Sequence, residues 1–260
     1  MDFFTITYQD AGAFFLILTR VGILLFMFPL FNTRIIPVSS KAGISLMITF
    51  LLFPLLSGRM PALPESFPGL VQVVTGELII GMILGLLVQL FFEGVRIMGQ
   101  MVGYLTGFAI ANVLDPQSGI QVSVLSNFAY FVALMLFLLL NGHHALIGAV
   151  KESFDILRPG APALSQNIFR EILQASGEMF TLAVRIGAPA IAALLFTKVA
   201  FGLITKLIPQ MNIMIVAFPV EIVIGLLFFG VCLLALLAVM RSYVGGLDSL
   251  LLNTMGGLKG

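Results

Sequence analysis

Polar positions are sparse along this chain, and their spacing divides it into helices. Gly12 to Phe31 is apolar over a bilayer-spanning length, interrupted by Arg20 near its middle. A linker from Asn32 to Lys41 carries Arg34, Pro37 and Lys41. Ala42 to Leu56 is apolar for only about 15 residues, short of the roughly 20 that a comfortable span needs. Ser57 to Gly69, with Pro61, Pro64 and Pro68, reads as a loop. Leu70 to Phe92 then forms a full-length apolar helix holding Glu77, with Gly76, Gly81 and Gly85 available for close contacts. Val122 to Leu140 is the cleanest membrane-like segment. The region Asn141 to Gln166 is the most polar and contains Gly142, His143 and His144, a short amphipathic piece and Arg158-Pro159-Gly160. From Asn167 a long helix carries Glu171, Gln174, Glu178, Thr181 and Arg185 at steps of three and four, a continuous polar stripe. Pro189 is expected to kink that helix. Pro209-Gln210-Met211-Asn212 ends it, Ile213 to Met240 is the last long apolar helix, and the tail from Arg241 to Gly260 is glycine-rich and expected to be mobile at its end.

The stretch from Glu93 to Gly119 organises this pattern. Gly99, Gly103 and Gly107 recur every fourth residue, so on a helix they share one face that another backbone can approach closely. Gln89, Glu93, Arg96 and Gln100 step by four, three and four along a neighbouring stripe. The helix then meets Asn112-Val113-Leu114-Asp115-Pro116, where proline biases Asp115 away from helical backbone. Gln117, Ser118 and Gly119 complete a short loop with apolar sequence on both sides. At membrane depth such a loop must be buried in protein or reached by water; otherwise it is a surface turn between two spans.

Composition settles the class. With 60% apolar and 10% charged residues and a mean hydropathy of +1.13, the chain is an integral membrane protein of all-α type. The net charge of +1 and the lack of any basic run exclude a nucleic-acid partner. The single cysteine, Cys232, offers neither an internal disulfide nor a metal cluster, and the adjacent histidines lack the helical spacing of a metal pair. No nucleophile elbow or phosphate-binding loop is present, so no enzyme chemistry and no cofactor are expected. The N-terminus lacks the basic region and cleavage site of a signal peptide, so the first apolar segment is expected to remain in the mature protein. Lys and Arg are spread evenly over the linkers and give no orientation.

Five charged residues, Arg20, Glu77, Arg185, Lys198 and Glu221, interrupt apolar helices away from their ends. Each costs about 2.5–3.5 kcal/mol at a helix centre on insertion scales, so each is expected to face protein or water. Short, proline-broken segments with such charges suit helices packed inside an assembly. They equally suit a polytopic bundle with internal ion pairs, Glu93 with Arg96 for example, or a secondary transporter or ion channel with Glu77, Glu93 and Arg185 along its path.

Three ordered motifs resemble the FliR family of flagellar export-gate proteins, whose injectisome relatives are called SctT. The first is Gly99, Gln100, Gly103 and Gly107, followed by Phe108-Ala109-Ile110-Ala111-Asn112 and Asp115-Pro116-Gln117-Ser118-Gly119. The second is Asn141-Gly142-His143-His144 with Ser153-Phe154 and Pro159; the third is Pro209-Gln210-Met211-Asn212-Ile213 with Phe218-Pro219 and Gly225. The intact Asn112 to Gly119 loop looks more like the flagellar branch.

The resemblance implies one domain over residues 1–260, built of short or kinked helices for packing in a membrane-associated hetero-oligomer. Within it lie a glycine-spaced helix and plug loop (93–121), a polar connector (141–168) and long C-terminal helices (167–240). The partners it implies are FliP-like and FliQ-like subunits forming the export pore, an FlhB-like subunit wrapped on the cytoplasmic side, and exported flagellar proteins as transient cargo. The location it implies is the bacterial inner membrane, in the flagellar basal body. The loop matching Phe108 to Val122 is then the plug of the closed channel, with Phe108, Ile110, Asn112, Val113, Leu114, Asp115, Pro116, Gln117, Ser118 and Gly119 as its residues. Gly99, Gly103 and Gly107 are expected to pack helices. Arg20, Glu77, Glu93, Arg96, Gln100 and Arg185 are expected in buried polar contacts, and Gly142, His143 and His144 in the connector, where the histidine pair takes a capping or subunit-contact role in preference to that of a pH sensor.

Overall fold

The computed structural model describes residues 8–31, 36–61, 63–107, 124–157, 159, 166–210 and 212–258. Among them the regular structure is helical: α1 (Tyr8–Met27), α2 (Val38–Leu56), a 3-10 turn (Ser57–Arg59), α3 (Phe67–Leu105), α4 (Val124–Leu139), α5 (Gly142–Ile156), α6 (Gln166–Leu207) and α7 (Ile213–Gly257). Five of these helices are long and apolar enough to cross a membrane. The chain divides into two compact units, one of Met1–Leu90, Asn141–Ala175 and Gly245–Gly260, the other of Phe91–Leu140 and Ser176–Val244.

In the first unit α1 buries Ala13, Leu16, Ile17, Arg20, Val21 and Leu24, a stripe at helical spacing. Gly81 and Gly85 of α3 let α1 approach: a Cβ on Gly81 would lie 3.1 Å from the Arg20 carbonyl, and one on Gly85 2.7 Å from Met27 Cβ. Helix α2 inverts the soluble pattern. Its buried stripe is Ser45, Thr49, Leu52 and Leu56, whereas Met47, Phe50, Leu51 and Leu55 are exposed. The two buried hydroxyls are satisfied locally, Ser45 Oγ donating to Lys41 O at 2.9 Å and Thr49 Oγ1 to Ser45 O at 2.7 Å. A helix that hides hydroxyls and shows large apolar side chains is built for lipid or another protein.

The second unit has an aromatic core. Phe92 meets Tyr130 and Phe137 edge-on at 6.1 and 5.6 Å, and Phe91 stacks on Tyr243 at 3.7 Å. Met98, Val102, Ile186, Leu194, Cys232 and Leu236 are buried around it.

Several boundaries differ from the sequence reading. The Leu70–Phe92 helix and the glycine-spaced helix are one element of 39 residues, because no helix breaker lies between them. Helix α2 begins at Val38 and so reaches 19 residues, with Pro54 inside it. Pro189 lies within α6 without ending it. The tail from Arg241 is helical through Gly257, where Gly245 and Gly246 are tolerated and Leu247, Leu251 and Met255 are buried at four-residue steps; its end, expected to be mobile, falls at residues 259–260, outside the described residues.

Candidate functional site

The buried charge centre of the first unit joins three helices. Arg20 of α1 grips Glu77 of α3 in a bidentate pair, Nε to Oε2 at 2.6 Å and Nη2 to Oε1 at 2.9 Å. Its Nη1 donates to Ser153 Oγ of α5 at 2.9 Å, and Ser153 in turn donates to Val150 O at 2.6 Å. The guanidinium also lies 3.9 Å from the centre of the Phe154 ring. Both charged side chains are fully buried. Planar geometry makes arginine suited to this: one fork takes a carboxylate while its face rests on an aromatic ring. An outer pair, Arg59 with Asp155, links the 3-10 turn to α5 at the surface.

In the second unit the glycine-spaced end of α3 meets α4. A Cβ at Gly99 would stand 2.6 Å from Ser126 Cα and 2.8 Å from Leu125 O, so backbone approaches backbone there. The same contact carries a hydrogen bond from Ser126 Oγ to Arg96 O at 2.9 Å. Arg96 lies over the Tyr130 ring at 4.0 Å, with Glu93 3.8 Å away on the same helix. Gly103 is buried, and its carbonyl accepts from Thr106 Oγ1 at 2.9 Å. Gly107 lies past the helix end with φ +80°, a left-handed conformation that glycine adopts without cost. It therefore terminates α3 rather than sharing the packing face of Gly99. Farther along, Lys198 of α6 and Glu221 of α7 pair at 3.0 Å beside an open groove of about 300 Å³, lined also by Phe201, Thr205 and Phe218.

Residues 11–247 match the family described as bacterial export proteins, family 1. The chain belongs to that family. Among the family's named members it is similar to the flagellar biosynthetic protein FliR of Bacillus subtilis (strain 168), 28% identical over 95% of this chain and 94% of that one. It is 31% identical to FliR of Escherichia coli (strain K12), over 80% of this chain and 79% of the other. With FliR of Pectobacterium carotovorum subsp. carotovorum the identity is 30%, over 85% and 84%.

For this export protein the structure brings together only some of the residues expected to meet. Arg20 and Glu77 partner each other, and Glu93 neighbours Arg96. Gln100 and Arg185 are exposed in the isolated chain. So are Gln174, Glu178 and Thr181 of the same stripe, because α6 turns its apolar Ala183, Ile186 and Ala190 inward instead. His143 and His144 have rings 4.2 Å apart at the start of α5, and His144 N–H donates to Asn141 O at 2.9 Å. Asn141 itself is left-handed at φ 59°, so the turn into α5 is made by backbone, without a side-chain cap. Gly142 is buried beside it. Phe108, Ile110, Asn112, Val113, Leu114, Asp115, Pro116, Gln117, Ser118 and Gly119 lie outside the described residues.

Sequence reasoning missed the partners of its own charges. Glu77 is 57 positions from Arg20, and Ser153 is 133. No local spacing signals contacts of that length. The signal available was energetic: two opposite charges in apolar helices each require a partner.

Proposed function

We propose that the chain is a subunit of the flagellar type III export gate, where it helps to form and close the pore through which flagellar proteins cross the inner membrane. The observation that carries this reading is the family match over residues 11–247, joined by FliR proteins at 28–31% identity over most of the chain. FliP-like and FliQ-like subunits are its pore partners and an FlhB-like subunit its cytoplasmic one. The gate sits in the inner membrane at the flagellar basal body and moves cargo without chemistry by this chain. Residues 108–122 act as the plug, with Asp115 and Pro116 stopping the helix and aiming the loop.

Exposed side chains agree with a place among sister subunits. Phe196, Leu203, Val223, Leu227 and Leu234 are large, apolar and exposed, while Arg185 and Gln100 are polar and exposed. Such mixed surfaces fit protein contacts better than lipid alone. The transporter reading is less favoured, since the family match is to export proteins and Glu77, one member of its path, is paired with Arg20.

The test is complementation of a strain lacking its own FliR, with motility and export of flagellar proteins measured, and membrane partners identified by co-purification. Restored export with FliP-like and FliQ-like subunits in the complex is the expected result. A deletion of Ile110 to Gly119 in the same strain should leave the complex assembled and the membrane leaky to ions. Failure to rescue export, with the chain recovered alone, would overturn the assignment.

A further inference from the structure

We infer that α2 crosses the bilayer with its outer face against phospholipid acyl chains, and that Lys41 and Arg59 mark the two headgroup levels. This concerns one helix of the first unit and does not depend on the export reading.

From Val38 to Arg59 the only charged residues are Lys41, in the first turn of α2, and Arg59, in the 3-10 turn that follows it. Both are basic. At a rise of about 1.5 Å per residue they stand roughly 27 Å apart along the helix, close to the ~30 Å of a hydrocarbon core. Lipid phosphates border that core on both sides, so each cation at this separation meets a negative layer. Arg59 remains 63% exposed even while paired with Asp155.

The face between these cations has the chemistry of a lipid contact. From Ala42 to Leu55 every exposed position is apolar. The two hydroxyls in the stretch, Ser45 and Thr49, are buried and donate to backbone carbonyls of their own helix. The outer face therefore offers a neighbour no hydrogen-bonding side chain. Helix contacts within membranes draw on small residues and on interhelical hydrogen bonds. Here the arrangement is reversed: Ile44, Leu46, Met47, Phe50, Leu51 and Leu55 are large and exposed, whereas the small polar residues are the buried ones. Helix α1 covers the other side, Phe14 meeting Phe53 edge-on at 5.9 Å. Of the five helices able to cross a membrane, α2 is the least buried, with 17% of its most apolar stretch inside. Helix α6 is a contrast, since Phe180 and Val184 are exposed there beside Glu178, Thr181 and Arg185, groups that acyl chains cannot satisfy.

The test uses the full chain in membranes of cells where it replaces the resident FliR. Benzoylphenylalanine in place of Phe50, activated by light, should form a phospholipid adduct; the same probe in place of Phe180 should join a neighbouring protein. A membrane-impermeant maleimide gives a second readout, because Cys232 is fully buried and leaves introduced cysteines to report. Ser39 is exposed, and Gly58 has nothing within 4 Å of an added Cβ. Ser39→Cys and Gly58→Cys should react from opposite sides, one in intact spheroplasts and the other only after the membrane is opened. Phe50→Cys should react at least about tenfold more slowly than either, since the reactive thiolate is disfavoured in apolar surroundings. Met47, 66% exposed on the same face, takes the same probes should the Phe50 variants not be recovered. A protein adduct at position 50 overturns the inference. So does Phe50→Cys reacting as fast as Ser39→Cys, or both end cysteines reacting from one side. A lipid adduct at position 180 as well would count against subunit contacts on α6, while the α2 inference stands on positions 39, 50 and 58.

Discussion

Glu77→Ala should be among the most damaging single truncations in the first unit. It removes the carboxylate that accepts from Arg20 at 2.6 and 2.9 Å, while Arg20 stays fully buried. What remains around the cation is Ser153 Oγ at 2.9 Å and the Phe154 ring at 3.9 Å, neither of which neutralises it. Breaking a buried pair from one side costs about 3–5 kcal/mol, because a desolvated charge is left uncompensated. The same truncation at Asp155, whose partner Arg59 is 63% exposed and which is itself 41% exposed, should cost about 0–1 kcal/mol. Replacing both members, Arg20→Met with Glu77→Leu, should recover most of the loss, since no buried charge then remains. Ser153 tolerates the exchange because its hydroxyl still donates to Val150 O. The assay is thermal unfolding of the purified complex in detergent, with yield from co-expression as a second readout. If Glu77→Ala is no worse than Asp155→Ala, or the double variant no better than Glu77→Ala, the buried pair is not what holds α1, α3 and α5 together.

Gly99→Ala should destabilise by about 1–3 kcal/mol, since the new Cβ meets Ser126 Cα at 2.6 Å and backbone cannot swing aside. Gly148→Ala in α5, with nothing within 4 Å of its Cβ, should instead gain about 0.5–1 kcal/mol in the same melts. Lys198→Ala should fall between Glu77→Ala and Asp155→Ala in melting temperature, because it leaves Glu221 unpaired at 12% exposure while the amine it removes was 40% exposed. Gln100→Leu and Arg185→Ala, both exposed, should change the folding stability of the chain by less than about 0.5 kcal/mol. Both should nevertheless lower recovery of the assembled gate, and unchanged recovery would show that these residues touch no partner.

Helix existence was legible because it is written in runs of apolar residues, and runs survive any tertiary arrangement. Helix ends were not. Phe92 and Glu93 divide two apparent segments by polarity alone, yet the backbone has no reason to stop there, and α3 continues. The last helix runs on past Met240 through a glycine-rich stretch, because Leu247, Leu251 and Met255 supply a buried stripe that compensates for the glycines. The need for partners of Arg20 and Glu77 was visible in the sequence, whereas their pairing was not, because hydropathy marks cost and carries no address. Gly107 shows a further limit. A four-residue spacing cannot tell a glycine inside the helix from one that ends it, and only the sign of φ separates them.

The charged and polar side chains sort into two sets, and the division bears on where the chain resides. Arg20 and Glu77 are matched within the chain and fully buried; Lys198 and Glu221 are matched beside a groove. Gln100, Gln174, Glu178 and Arg185 are exposed, on helices that also expose Tyr104, Phe180, Val184 and Leu195. An exposed arginine at the centre of a lipid-facing helix costs about 2.5–3.5 kcal/mol, and the surrounding apolar side chains gain nothing from water. Neither solvent alone satisfies such a surface. Protein does, since sister helices can bury the apolar positions and hydrogen-bond the polar ones. The exposed stripe of α6 is on this argument a surface suited to contact with neighbouring protein.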